Sequence, residues 1–191
     1  MKLLITAVTL GLVGVVGGLG TWSAFSDTTA NGGNSFESGT VTIEDDDSGS
    51  TMFSLTGMRP GDPAASRCID VTYTGSLDAN VRMYGATGGS GLAQHLNVKV
   101  TRGEKDSAFS GCGDFVADSA NYIGQGAGVV YNGTLEGFAD GYAGANADPV
   151  AGSPETWSQG EDHAYRFEVS LADNNDAQGK TATQTFTWEA Q

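Results

Sequence analysis

Apolar and polar residues alternate with a period of two along much of this chain beyond residue 40. Val41 and Ile43 alternate with Thr40 and Thr42, Phe53 and Leu55 with Met52 and Ser54, and Ile69, Val71 and Tyr73 with Asp70, Thr72 and Thr74. The rhythm returns at Val81 and Met83, at Leu96, Val98 and Val100, at Tyr165, Phe167, Val169 and Leu171, and at Phe186 and Trp188. Period two gives a strand one buried and one wet face. A further strand is expected over residues 128–131, and only short helical turns over 91–95 and 134–139. Arg59-Pro60-Gly61-Asp62 predicts a turn, because proline presets φ and glycine accepts a positive one. Thr74-Gly75-Ser76 parts two strand patterns by a link short enough for a hairpin. Seven or eight short strands with polar, Gly-rich links predict an all-β fold, an antiparallel β-sandwich of jelly-roll or Ig-like type. Residues 103–162 are rich in Gly, Asp, Ala and Asn and predict long loops at one end or edge.

Ahead of the strands lies an apolar leader. Lys2 is the only charge before Asp27, and residues 3–19 are almost wholly apolar. That run falls short of the about 20 residues a membrane span needs. A basic start, an apolar middle and small residues near the exit predict a secretory signal peptide, with a retained anchor as the alternative. Cleavage after Ser23 places Ser23 and Thr21 where a signal peptidase takes small side chains, and leaves Ala24 first; cleavage after Ala24 would put bulky Trp22 there. The expected organisation is a signal peptide over 1–23, a flexible N-terminal segment over 24–34 and one sandwich domain over 35–191. The segment opens Ala24, Phe25, Ser26, Asp27 and is small and polar apart from Phe25, with Gly32-Gly33 as a hinge. Two readings fit it: a disordered tail, or a strand that pairs with a neighbour's sheet edge and buries Phe25. The C-terminal residues carry neither a hydrophobic tail nor a sorting motif, so retention at a cell is expected to come from assembly or a partner.

The formal net charge of −14 excludes nucleic acid and anionic membrane as partners, since phosphate binding needs clustered Lys and Arg. Cation binding and adaptation to salt both fit that charge. Two acidic clusters, Asp45, Asp46 and Asp47 after the first strand and Asp173 and Asp176 after a later one, offer the hard oxygens Ca²⁺ takes. Neither has EF-hand spacing, and solvated turns explain both equally well. No cofactor is therefore expected, with Ca²⁺ the ion left open. Cys68 and Cys112 are expected to form a disulfide, as an even count in an exported chain suggests; buried free thiols are the alternative. His95 and His163 lie in no H-E-x-x-H helix and are expected as ordinary surface or edge residues. Neither a G-x-S-x-G elbow nor a phosphate loop appears. Asn132-Gly133-Thr134 is a formal glycosylation sequon. Trp157 and Tyr142 would be the aromatic candidates for a carbohydrate surface, with core or edge packing as the alternative.

The blocks Gly20-Thr21-Trp22-Ser23-Ala24-Phe25-Ser26-Asp27, Asn34-Ser35-Phe36 with Ser38-Gly39-Thr40-Val41, Leu55-Thr56-Gly57-Met58-Arg59-Pro60-Gly61-Asp62 and Phe186-Thr187-Trp188-Glu189-Ala190 resemble the TasA/camelysin family of biofilm-matrix fibre proteins. The resemblance covers residues 1–85 and 163–191. It implies a jelly-roll-like sandwich, export through a SipW-type signal peptidase, and self-association into extracellular filaments by donation of an N-terminal strand. An accessory matrix protein would be a further partner, and the processed chain would keep no membrane attachment. Some members carry a metalloprotease label, from which this chain departs by offering no zinc motif and no expected catalytic residues. The expectation is a secreted structural subunit. A monomeric cell-surface adhesin or carbohydrate binder and a camelysin-like metalloprotease are the alternatives.

Overall fold

The computed structural model describes residues 39–150 and 153–191. The expected signal peptide, the cleavage site at Ser23 and Ala24, and the segment 24–34 with Phe25, Ser26 and Asp27 lie outside the described residues. The first strand, β1 (Ile43–Asp45), is short. β2 (Ala65–Tyr73), β3 (Ala79–Gly89) and β4 (Leu96–Glu104) follow, then β5 (Val116–Ala117) and β6 (Val129–Thr134). Three two-residue strands, β7 (Asn146–Ala147), β8 (Pro149–Val150) and β9 (Ser153–Pro154), precede β10 (Thr156–Trp157). Two long strands, β11 (Asp162–Leu171) and β12 (Ala182–Ala190), complete the order.

These strands build an all-β sandwich. One sheet runs β1-β2-β11-β4-β5, with β6 also on β4; the other runs β10-β3-β12, with β7 also on β3. Every pairing is antiparallel. Ile69, Val71 and Tyr73 of β2, Val98 and Val100 of β4, and Tyr165, Phe167 and Val169 of β11 face Val81 and Met83 of β3 across the core. Phe186 and Trp188 of β12 pack against this layer, Phe186 with its ring 4.5 Å from that of Phe167. Large offset or tilted aromatic pairs of this kind add to the area they bury.

The alternation located the long strands, but their partners differ from expectation in one place. Thr74-Gly75-Ser76 does not close a hairpin, because β2 and β3 belong to different sheets. The link is a crossing between sheets. Its amides are satisfied by the chain before β1, with Thr74 and Gly75 donating to the Thr42 carbonyl and Ser76 and Leu77 to that of Thr40. Phe53 and Leu55 form no strand either; residues 51–58 are irregular. The Arg59–Asp62 turn forms as read: the Asp62 amide donates to the Arg59 carbonyl at 3.1 Å, and Gly61 takes φ +84°. The helical turn near residue 93 is a 3-10 helix (Ala93–His95), whereas 134–139 makes only turns after β6. The 103–162 region is mostly loop, stitched to the two sheets by β5, β6, β7 and β10, while β8 and β9 pair only with each other.

Candidate functional site

The inward face of β4 carries Leu96, Val98 and Val100, and its next inward position is Arg102. In register with Arg102 on β11 is Tyr165, and two residues before it, on the same face, is His163. A guanidinium thus enters the end of the core where apolar alternation runs out. β6 bulges here, its register shifting between Val100 and Thr101. Bulges beside such positions re-aim the strand. Gly128, at φ +70°, admits the approach: its carbonyl accepts the Arg102 amide at 2.8 Å, and a Cβ there would lie 2.4 Å from the Arg102 carbonyl oxygen.

Arg102 is 3 % exposed and is surrounded by acids. Its Nη1 lies 3.1 Å from Asp148 Oδ2 and 2.7 Å from Glu155 Oε2, and its Nε lies 3.4 Å from Asp118 Oδ2. Its Nη2 lies 2.5 Å from His163 Nε2 and 3.1 Å from Nδ1. Nη1 and Nε sit at ion-pair distance without an aligned N–H···O bond, so attraction here is mainly of charge for charge. Asp148, 4 % exposed, is the best-held acid: Tyr165 donates its hydroxyl to Oδ1 at 2.7 Å and Trp157 its indole N–H to Oδ2 at 2.9 Å. Around them, Tyr122 donates to Asp118 at 2.7 Å, and Glu161 Oε1 lies 3.1 Å from His163 Nε2.

Burial governs the electrostatics. It pushes the Asp148 carboxyl up, against the opposing pull of Arg102, Tyr165 and Trp157. Burial works against the Arg102 cation, but Asp148 and Glu155 outweigh it and the net shift is upward. The Tyr165 hydroxyl is pushed well above its ordinary value by burial and then by Asp148, so it stays a donor.

A second ionic cluster absorbs one of the acidic runs. Lys105 Nζ lies 2.8 Å from both Asp46 Oδ2 and Asp70 Oδ2 and donates to the Ser107 carbonyl at 2.7 Å. Asp46 also accepts the Asp70 amide at 2.9 Å. Asp45 and Asp47 accept the amides of Asp47 and Gly49, as in a turn of two overlapping Asx motifs. Asp173 is exposed, and Asp176 donates its amide to the Asn174 side chain at the start of a 3-10 helix (Asn175–Ala177). Cys68 and Cys112 are disulfide-bonded. Neither histidine is a surface residue: His95 is 8 % exposed with Lys180 Nζ 3.2 Å from its Nε2, and His163 belongs to the Arg102 cluster. Trp157 is fully buried, which removes it as a sugar platform. Tyr142 stacks under Arg82, whose guanidinium carbon is 4.8 Å from the ring centre.

A trough of about 630 Å³ opens between the sheets along β12. Ile69, Leu96, Val169 and Phe186 line its floor, and Met52, Phe53 and Met58 of the irregular segment lie in it. Consecutive residues 182–186 of β12 border it, so the strand presents its edge there as well as one face. Among the described residues that outer edge has no partner strand, and residues 51–58 form no backbone–backbone hydrogen bond.

The model of a family described as camelysin metallo-endopeptidase matches residues 1–98. Among curated proteins, none matches the chain. A metal-dependent peptidase would need a ligand set. The matched residues hold a single histidine, His95, beside Lys180. Among the described residues, Asp148, Glu155 and His163 form a group of metal-ligand type, their donor atoms within 4.8 Å of one another. All three lie beyond the matched segment. Arg102 Nη1 and Nη2 stand against all three, where an ion would have to stand. With Arg102 in place, this group of described residues therefore does not fit a resident metal.

Proposed function

This chain belongs to the camelysin family, and from that premise we propose that it is an exported structural subunit that assembles with copies of itself by strand addition. The observation that carries this reading is the edge of β12, which has no partner strand among the described residues, beside a trough with an apolar floor whose lining residues of the 51–58 segment make no backbone–backbone hydrogen bond among the described residues. A sheet edge over exposed apolar lining is a template for another strand. The segment 24–34 has the chemistry to fill it: small polar residues, one large apolar side chain at Phe25, and the glycine pair Gly32-Gly33. Burial of Phe25 would contribute about 2 kcal/mol on top of the ladder bonds. A donor at one end and an acceptor along one edge make a heterologous contact, which propagates as an open filament. Removal of the leader after Ser23 would release the donor, which places assembly after export.

The test uses the processed chain in negative-stain microscopy. Deletion of residues 24–31, and separately Phe25→Ser, are expected to leave the circular dichroism unchanged and to abolish filaments. The double variant Thr183→Lys/Thr185→Lys, which puts charge on the exposed side of β12, is expected to block the acceptor instead. Mixing the deletion with the β12 variant should give one-to-one pairs by light scattering. Filaments of normal length from the deletion variant would refute donation by this segment.

A further inference from the structure

The Asp148–Glu155–His163 group has the donor chemistry of a zinc site, one imidazole nitrogen and two carboxylate oxygens, yet its centre is taken by a guanidinium. We propose that Arg102 is the resident cation of this group, that it keeps the site closed to metal, and that the site is a latent one for a borderline divalent ion such as Zn²⁺.

Two independent features carry this. The first is the donor cluster itself, with Asp148 fixed by Tyr165 and Trp157 as supporting residues orient a ligating carboxylate. The second is the side chain aimed into it. Arg102 is buried, and its Nε and Nη1 lack aligned hydrogen-bond acceptors although carboxylates surround them. A guanidinium chosen for hydrogen bonding would satisfy its fork with a bidentate carboxylate. Here it works as a positive charge at the focus of three acids and an imidazole, the role an ion plays in a metal centre.

The exchange is geometrically feasible. A tetrahedral zinc with bonds of about 2.0–2.2 Å needs donors roughly 3.5 Å apart, so the set must contract by about 1 Å. Glu155, 47 % exposed and on the link between β9 and β10, has the freedom to close that gap. Solvent would take the fourth position, as in zinc sites with three protein ligands. With Arg102 in place, a divalent ion would meet a fixed positive charge within bonding distance of every donor.

The test adds ZnCl₂ or CoCl₂ alone to the purified full chain and to its variants, and reads thermal melting and the visible Co²⁺ spectrum. Wild type is expected to show neither a melting shift nor a cobalt band that depends on His163. Arg102→Lys, which keeps the charge, is expected to behave as wild type. Arg102→Ala is expected to gain a cobalt band and to melt about 5–10 °C higher at a hundredfold excess of zinc over its dissociation constant. Both gains should vanish in Arg102→Ala/His163→Ala. An Arg102→Ala chain that folds only with zinc also supports the proposal; one that stays unfolded with and without zinc overturns it. A wild-type zinc response that His163→Ala removes overturns it as well, whereas a response insensitive to His163→Ala lies elsewhere and leaves this group closed.

Discussion

Arg102 and Asp148 are each at most 4 % exposed, so neither ion can recover its hydration if the other is removed. Breaking a buried pair from one side leaves an uncompensated charge, at a cost of about 3–5 kcal/mol. Asp148→Ala is therefore expected to lower the unfolding free energy by that amount in a urea titration. Tyr165→Phe removes one neutral donor from the same carboxylate and leaves Trp157 and Arg102 in place. Its cost should be smaller, about 1.5–3 kcal/mol, the range for a hydrogen bond to a charged group. The order of the two variants is the informative result. Equal losses would mean that Asp148 is held neutral and that Arg102 is balanced by Glu155 and Asp118 alone. Burial pushes the Asp148 carboxyl up while Arg102, Tyr165 and Trp157 pull it down, and the comparison weighs these opposing influences.

At the scale of elements, stability is distributed unevenly around the sandwich. β11 is paired along both edges, with β2 and β4, and its inward side chains are buried. Residues 51–58 contribute Met52, Phe53 and Met58 to the trough but no backbone–backbone hydrogen bond among the described residues. Amide exchange reports local opening of this kind. The amides of 51–58 are expected to exchange orders of magnitude faster than those of β11 in the isolated chain; slow exchange in 51–58 would show the cover to be part of the fixed core. The same contrast explains what was legible in the sequence. Alternation identifies a two-faced strand, so β2, β4, β11 and β12 were readable. It names no partner, so the link at Thr74-Gly75-Ser76 reads as a hairpin although it crosses between sheets. It also cannot separate a strand from an irregular plug, because Phe53 and Leu55 keep the spacing without the ladder. The candidate cluster was half legible. Extending the inward positions of β4 from Val100 to Arg102, and of β11 from Tyr165 back to His163, places both on one buried face at one end. Asp148 and Glu155 come from loop sequence that carries no periodicity, and only the fold brings them there.

For the molecule as a whole, the region most in need of a tie is the excursion between β4 and β6, which holds only the two-residue β5 as regular structure. Its polar composition supplies little apolar burial, and a chain of net charge −14 repels itself. The disulfide joins this excursion to the middle of β2, where Cys68 is fully buried and its carbonyl accepts the Ser110 amide at 2.9 Å. The bridge spans 44 residues. Closing a loop of that length removes unfolded-state entropy amounting to about 4 kcal/mol in the chain-entropy account. Against a typical domain stability of about 5–15 kcal/mol, this is a large share. Cys68→Ser/Cys112→Ser is expected to unfold about 2–5 kcal/mol more easily in urea. Because the term acts mainly on the unfolded chain, the native far-ultraviolet spectrum should not change. Thiol titration of denatured, unreduced wild type should find no free thiol. Two free thiols per chain, or a double serine variant as stable as wild type, would move the burden of holding this excursion to Lys105. That side chain already joins it to Asp46 beyond β1 and Asp70 of β2.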